Sequence, residues 1–309
     1  MFLTIGTTPA VQRVMVFRKL TLDAVNRAVT TLDGVAGKAI NVAKVLQVLG
    51  ENPVAAGFYG GPRGEIVRGA MESLGITLEF VHVAAPTRQC ITVIDESTGM
   101  HTELVEESRA VEPAAYEELF TNIQRHASIR VAIMSGTITP GGPVDFYARC
   151  IRWADQIGAM TIVDAQGAVL MEALKARPGL VKPNRQELAA TVGYALNTED
   201  QLRAAMRTVA ELGAQRVVIT AGSAPTMAFD GRNFWKIGSP KITAVNPIGS
   251  GDAFTAGCAS RLGRGDDLGE ACRWGAACGT ANALTWMAGE IHPADVTRLA
   301  KDVSVECLP

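Results

Sequence analysis

Little in this 309-residue sequence is in excess. Charged residues make up 19% of it and the formal net charge is only −2, so neither sign is abundant enough to draw the chain to nucleic acid or to a membrane surface. The four histidines (His82, His101, His126, His292) share no metal-ligand spacing and are assigned no chemistry. The six cysteines (Cys90, Cys150, Cys258, Cys272, Cys278, Cys307) show no CxxC spacing and read as reduced, mostly buried thiols of a cytoplasmic protein. No apolar run approaches the roughly 18 residues that cross a bilayer, and Met1–Ile5 is too short for the apolar region of a signal peptide. Repeats, low-complexity segments and linkers are absent. What remains is 48% hydrophobic, and its length suits one large α/β domain, 1–309, with at most a small accessory element.

Taken in order, Phe2–Ile5 reads as a buried strand, while Val11–Phe17 and Ala28–Leu32 alternate like strands with one exposed face. Asp33-Gly34 and Gly37 mark a loop into a helix over Lys38–Leu49, whose Ile40, Ala43, Leu46 and Leu49 share a face and which Gly50 stops. A strand is expected over Val54–Tyr59, a helix over Glu65–Leu74, and strands over Thr87–Asp95 and His101–Val105. Helices at Tyr116–Ala127, Val144–Ile157, Glu187–Val192 and Glu199–Leu212 then alternate with strands at Arg130–Met134, Met160–Asp164, Leu180–Lys182 and Arg216–Thr220. Such alternation implies βαβ crossovers and a doubly wound, mainly parallel sheet flanked by helices. The early alternating strands do not fit that pattern, so a small separate sheet is expected from them. Ligands bind beyond the carboxyl ends of the strands in such folds. Ser135-Gly136, Asn184, Thr220-Ala-Gly222 and Gly249-Ser-Gly251 all lie just past a predicted strand.

The most informative stretch is Asn246-Pro-Ile-Gly-Ser-Gly-Asp-Ala-Phe254. Lys241–Val245 before it reads as a strand and Ala253–Leu262 after it as a helix. The backbone N–H groups of Gly249, Ser250 and Gly251, with those of the first helical turn, can form an anion hole. Asp252 lies at its mouth, where the helix dipole favours an ionised carboxylate able to accept a proton. By itself the pattern is weak, since a helix N-cap after a glycine turn is common and describes it as well or better.

Several motifs together carry more. Asp33-Gly-Val-Ala-Gly-Lys-Ala-Ile-Asn-Val-Ala43, Thr87-Arg-Gln-Cys90, Ser135-Gly-Thr-Ile-Thr-Pro-Gly141, Lys182-Pro-Asn-Arg-Gln-Glu187 and the Gly-Ser-Gly-Asp loop resemble, in order and over nearly the whole chain, the ribokinase-like (PfkB) carbohydrate kinases. Asn246 is similar to the branch that holds 1-phosphofructokinases and tagatose-6-phosphate kinases. The resemblance implies a loop of Gly249, Ser250 and Gly251 that stabilises the transferred phosphate, and Asp252 as the base that deprotonates the acceptor hydroxyl. It implies that ATP is the donor, that Mg²⁺ is held near Asn184 and Glu187 largely through water, and that a monovalent cation can lie beside the anion hole. Lys182, Thr220, Gly222 and Asn282 then fall on the nucleotide side. The early strands, about 11–32 and 87–106, become a lid over the sugar that is often used to form a homodimer.

On the acceptor side the resemblance points to Gln12, Gly37, Lys38, Asn41, Arg88 and Ser135, with Arg27 as a further lid cation. Lys38 at a helix N-terminus opposes the dipole, which suggests a reason for it beyond the helix. Arg88 can bind phosphate bidentately. Gln12 stands where related kinases carry an aspartate that binds sugar hydroxyls, and offers a donor and an acceptor without charge. Ala36 and Ala39 replace glycines of the sugar-contacting segment. Asn184 and Glu187 also fit a helix capping box on their own. Three functions stay open: a kinase of a ketohexose phosphate, a kinase of an unphosphorylated sugar or nucleoside, and a catalytically silent sugar-phosphate binder.

Overall fold

The computed structural model describes residues 1–308. Strand β1 (Phe2–Ile5) leads to β2 (Ala10–Phe17), β3 (Thr30–Ala36), α1 (Lys38–Val48), β4 (Pro53–Tyr59), α2 (Gly61–Ser73) and β5 (Thr77–His82). The hairpin of β6 (Arg88–Asp95) and β7 (Met100–Val105) precedes α3 (Pro113–Ile123), β8 (Val131–Ser135), α4 (Phe146–Gln156), β9 (Met160–Asp164), α5 (Gly167–Lys175) and β10 (Leu180–Val181). Then come α6 (Arg185–Val192), α7 (Glu199–Glu211), β11 (Val217–Ala221), β12 (Ala224–Phe229), β13 (Phe234–Gly238), α8 (Ser250–Leu262), α9 (Leu268–Asn282), α10 (Pro293–Asp302) and β14 (Ser304–Leu308).

These build a ten-stranded sheet in the order β14-β13-β12-β11-β10-β9-β8-β1-β4-β5 and a separate four-stranded sheet, β3-β2-β6-β7. From β11 to β5 every pairing of the large sheet is parallel; β12, β13 and β14 extend it antiparallel. The central strands read as unbroken apolar runs because both faces are covered. In β8, Val131 and Ile133 face one core layer with α8 and α9, while Ala132 and Met134 face the other with α3 and α4. Each large side chain buried this way contributes about 1.5–3 kcal/mol.

The small sheet comes from the early strands, as their one-sided pattern requires. In β2, Gln12, Val14 and Val16 are buried while Val11, Arg13 and Met15 are partly exposed. Gln12 pairs with Gly34 of β3 and Cys90 of β6. Strand β3 begins later than expected and runs through Asp33 and Gly34, because its ladder with β2 continues to Ala36. Lys241–Val245, expected as a strand, belongs to no ladder: β13 already has β12 and β14 as neighbours. That segment is held instead by the Val245 and Asn246 amides donating to Ala283 O and by His101 Nε2, 2.8 Å from Val245 O. All six cysteines are free, and only Cys307 is exposed. Among the described residues no helix is long and apolar enough to cross a membrane.

Candidate active site

The Asn246–Asp252 turn is shaped by short-range hydrogen bonds. Asn246 Oδ1 accepts from the Ile248 amide at 3.1 Å, and Ser250 N donates to Pro247 O at 3.1 Å. Gly249 adopts φ 87°, and a Cβ there would lie 2.8 Å from Ala288 Cβ and 3.0 Å from Gly289 N. Both conformation and space therefore demand glycine. Asp252 N and Ala253 N donate to Gly249 O at 3.0 and 2.9 Å and so start α8. The amides of Gly249 and Gly251 find no acceptor among the described residues. They are the free donors of the hole, at the positive end of a helix. The Ser250 amide, expected as a third, is occupied by Pro247.

Asp252 is buried, and its Oδ2 accepts from Asn41 Nδ2 at 2.7 Å. Burial pushes its pKa up to about 6; Lys38, the Asn41 hydrogen bond and Lys182 oppose that rise, and Asp164 adds to it. Desolvation thus outweighs the helix dipole that the sequence brings to mind. A carboxylate poised there is mostly ionised at neutral pH yet basic enough to take a proton.

Asp164, at the end of β9, is the residue that sequence reasoning missed. Its Oδ1 accepts from Lys38 Nζ at 2.8 Å and its Oδ2 from Lys182 Nζ at 2.9 Å. Burial by itself would raise its pKa, but Lys182 and Lys38 outweigh that and hold it at about 2. Burial likewise pulls on Lys38, but Asp164, Asp252 and Glu187 raise its pKa above the ordinary lysine value. These carboxylates explain a lysine set against a helix dipole. Lys182 Nζ sits behind the hole, 3.7 Å from where a Cβ on Gly251 would be. The available signal was a charged side chain ending an apolar strand of a parallel sheet.

Asn184 and Glu187 form the expected capping box. Asn184 Oδ1 accepts from the Gln186 and Glu187 amides, both at 2.9 Å, and Glu187 Oε2 accepts from Asn184 N at 2.7 Å. That leaves Glu187 Oε1 facing Lys38 Nζ at 4.0 Å. Asn184 also bridges to Thr220 across the strand ends, with Gly222 exposed in the following turn at φ 59°. Asn282, expected near adenine, is fully enclosed. Its Nδ2 donates to Ile248 O at 2.9 Å and its Oδ1 accepts from Gly289 N at 2.8 Å. Its side chain supports the glycine loop from beneath and is not presented to a ligand.

On the acceptor side, Gln12 Nε2 donates to Thr92 Oγ1 at 3.3 Å, but Gln12 Oε1 is buried without a partner. Asn41 Oδ1, Ser135 Oγ and Arg88 Nε are in the same condition. Such atoms are uncommon in folded proteins, and these four all belong to residues singled out from the sequence. Gly37, at φ 119°, lets α1 start within 3.0 Å of Pro9 Cα as measured from a built Cβ. It lines a concavity with Thr8, Lys38 and Ser135. An adjoining one shares Thr8 and Pro9 and carries Arg88 and Arg109. Arg88 donates to Thr8 O at 3.2 Å. Arg109 follows the lid hairpin in a loop, and nothing in the sequence marks it. Arg27 is not brought to this cleft: it is exposed on the connection beyond Phe17, and β2 carries that end some 20 Å from Arg88 at ~3.3 Å per residue.

A buried carboxylate able to take a proton, beside two free amides and near a cleft of unpaired polar atoms next to the small sheet, is an arrangement suited to moving a phosphoryl group. Residues 4–292 match the model of the pfkB family carbohydrate kinases, and the chain belongs to that family. Tagatose-6-phosphate kinase of Staphylococcus epidermidis is 31% identical to it over 309 residues, 99% of either chain. Phosphofructokinase-2 of Escherichia coli, in its tetrameric inhibited form, superposes with a TM-score of 0.88 at 25% identity, covering 97% of this chain and 98% of that one. Ribokinase of Arabidopsis thaliana, complexed with ribose and ATP, shares the fold at a TM-score of 0.77 and 18% identity, over 97% of this chain and 98% of that one.

Proposed function

We propose that this protein transfers the γ-phosphoryl group of ATP to a hydroxyl of a ketohexose phosphate of the fructose 1-phosphate or tagatose 6-phosphate type. The observation that carries this reading is Asp252, a buried carboxylate with a pKa of about 6, set beside the free amides of Gly249 and Gly251. Asp252 takes the hydroxyl proton as the new O–P bond forms, and the two amides hold the charge on the transferred oxygens. Asn41 keeps Asp252 aimed through its 2.7 Å hydrogen bond. Gln12 Oε1, Asn41 Oδ1 and Ser135 Oγ are acceptors that sugar hydroxyls would satisfy. Lys38 and Arg88 hold the acceptor's own phosphate, which fixes the orientation of its free hydroxyl. Thr220 and Gly222 line the nucleotide side.

Mg²⁺ suits the donor set, since it is commonly held by one or two carboxylates together with substrate phosphates and water. Glu187 Oε1 is the available carboxylate oxygen, Asn184 would reach the ion through water, and the bound metal would neutralise phosphate charge. A monovalent cation beside the hole is part of this reading; phosphofructokinase-2 of Escherichia coli has been solved in complex with potassium. A homodimer through the lid is a further part of it. The support is the exposed apolar surface there: Leu22 at 87%, Val25 at 82%, Met100 at 61% and Leu104 at 53%. The cytoplasm is the proposed location, consistent with six unpaired thiols.

The test is ADP release from Mg-ATP with fructose 1-phosphate, fructose 6-phosphate, tagatose 6-phosphate, fructose, ribose and adenosine in turn. Turnover with a ketohexose phosphate is expected, with Arg88→Ala raising the KM of that acceptor about tenfold or more. Turnover with neutral acceptors alone would overturn the roles given to Lys38 and Arg88. Nucleotide binding with no turnover of any acceptor would favour a silent binder.

A further inference from the structure

The loop between α9 and α10 presses three consecutive residues against three different parts of the site. Met287 is 93% buried by its lid contacts, at 7% exposure, and joins Val14, Val16 and Ile94 in the apolar cluster beneath the lid, to which it alone comes from outside the small sheet. Its methyl lies 2.5 Å from where a Cβ on Gly34 would be, and Gly34 is the cross-strand partner of Gln12. Ala288 abuts the hole, 2.8 Å from a Cβ built on Gly249. Gly289, at φ 72°, lies against α1, where a Cβ would come within 2.7 Å of Asn41 Cα. In chain order these residues touch the sugar-covering lid, the phosphate hole and the residue that aims the base.

The loop is anchored at nearly every residue. Trp286 O accepts from Asn246 Nδ2 at 2.8 Å, Met287 O from Thr285 Oγ1 at 3.1 Å, and Gly289 N donates to Asn282 Oδ1 at 2.8 Å. Buried Lys44 donates from Nζ to Ala288 O at 2.8 Å and to Val35 O of β3 at 3.3 Å, so one ammonium ties the loop to the lid strand that carries Gly34. Neither Met287 nor Lys44 has a part in the chemistry described above. With Cα atoms about 3.8 Å apart along the chain, a shift of the lid that moves Met287 reaches Gly249 through a single residue.

We propose that Met287 is a positioning residue that registers the lid, and the acceptor beneath it, against the phosphoryl-transfer centre, with Lys44 fixing the loop that carries it. The proposal rests on the kinase reading, but its test needs no acceptor. The probe is Mg²⁺ with a non-hydrolysable ATP analogue, and the readout is amide hydrogen exchange. In the wild type, exchange is expected to slow several-fold both in the first turns of α8 and in lid strands β2 and β6. In Met287→Ala the α8 response remains and the lid response disappears; Met287→Leu restores it. If Met287→Ala does not fold, Gly34→Ala crowds the same methyl from the lid side and should also blunt the lid response. In turnover, Met287→Ala and Lys44→Met are expected to lower acceptor kcat/KM about tenfold with the KM for ATP nearly unchanged, and Lys44→Arg to retain activity. A merely structural Met287 would lower the melting temperature and leave the lid response intact. That outcome, or a lid indifferent to nucleotide in the wild type, overturns the proposal. Silence at α8 as well would sink the kinase reading and this inference with it, whereas turnover of neutral acceptors alone would sink only the choice of acceptor.

Discussion

Asn41 Nδ2 donates to Asp252 Oδ2 at 2.7 Å across 211 positions of sequence. The bond favours the ionised carboxylate against the burial that drives the pKa up to about 6. The acid limb of kcat/KM for the acceptor should therefore lie near pH 6. Asn41→Ala and Lys38→Met each remove a group that stabilises the charge, so both should move the limb to higher pH. A limb left in place by both changes would separate Asp252 from the titration.

Asp252→Asn should lower turnover on the order of 10²- to 10⁴-fold while the protein folds normally. The same change bears on stability. Because the folded pKa lies above the ordinary aspartate value of 3.8, the stabilisation linked to this group is present below pH 3.8 and is lost as pH rises through about 6. At pH 8 the amide variant avoids a buried charge, so its melting temperature should equal or exceed that of the wild type. A large loss of stability at pH 8 would contradict this.

Asp164 has the opposite sign. Its pKa is lowered to about 2, so its contribution is present above pH 3.8 and is lost as pH falls through about 2. Asp164→Asn leaves Lys38 and buried Lys182 without their shared partner. Urea denaturation near neutral pH should show a loss of about 3 kcal/mol or more, with acceptor turnover falling as Lys38 and Lys182 redistribute toward Asp252.

The two glycines of the hole should behave differently. Gly249→Ala imposes a strained φ and a clash with Ala288, so both stability and activity should fall, stability by about 1–3 kcal/mol. At Gly251 the nearest atom to an added Cβ is Lys182 Nζ at 3.7 Å, so Gly251→Ala should fold with nearly unchanged stability yet lose turnover. Paired melting and kinetic measurements on the two variants check the contrast.

The crossover pattern, the lid and the glycine loop were legible in the sequence because each rests on local signals: period, turn residues and caps. Asn184 and Glu187 were readable for the same reason. Asp164 was not, since its partners Lys38 and Lys182 stand 126 and 18 positions away and only strand order brings them together. The Lys241–Val245 segment looked like a strand because Ile242, Thr243 and Val245 are β-branched, but β13, the strand just before it, is already paired on both sides by β12 and β14. Arg27 and Asn282 were placed by likeness of position, and the fold carries one to the lid's far end and folds the other inward. The pKa of Asp252 eluded the sequence because desolvation is a property of packing.

Because Asp252 and its hydrogen-bond partner Asn41 come from α8 and α1, no single stretch of the chain holds the proposed site by itself. During synthesis from the N-terminus, the lid, Gln12 and Lys38 emerge long before Asp252. Until α8 docks on α1 the early part of the chain has an acceptor surface without a reaction centre, and its buried orphan atoms are open to water. Contacts of such wide separation form slowly. On the proposed mechanism, phosphoryl transfer would become possible only once most of the chain has been made, and a half-made chain would spend no ATP.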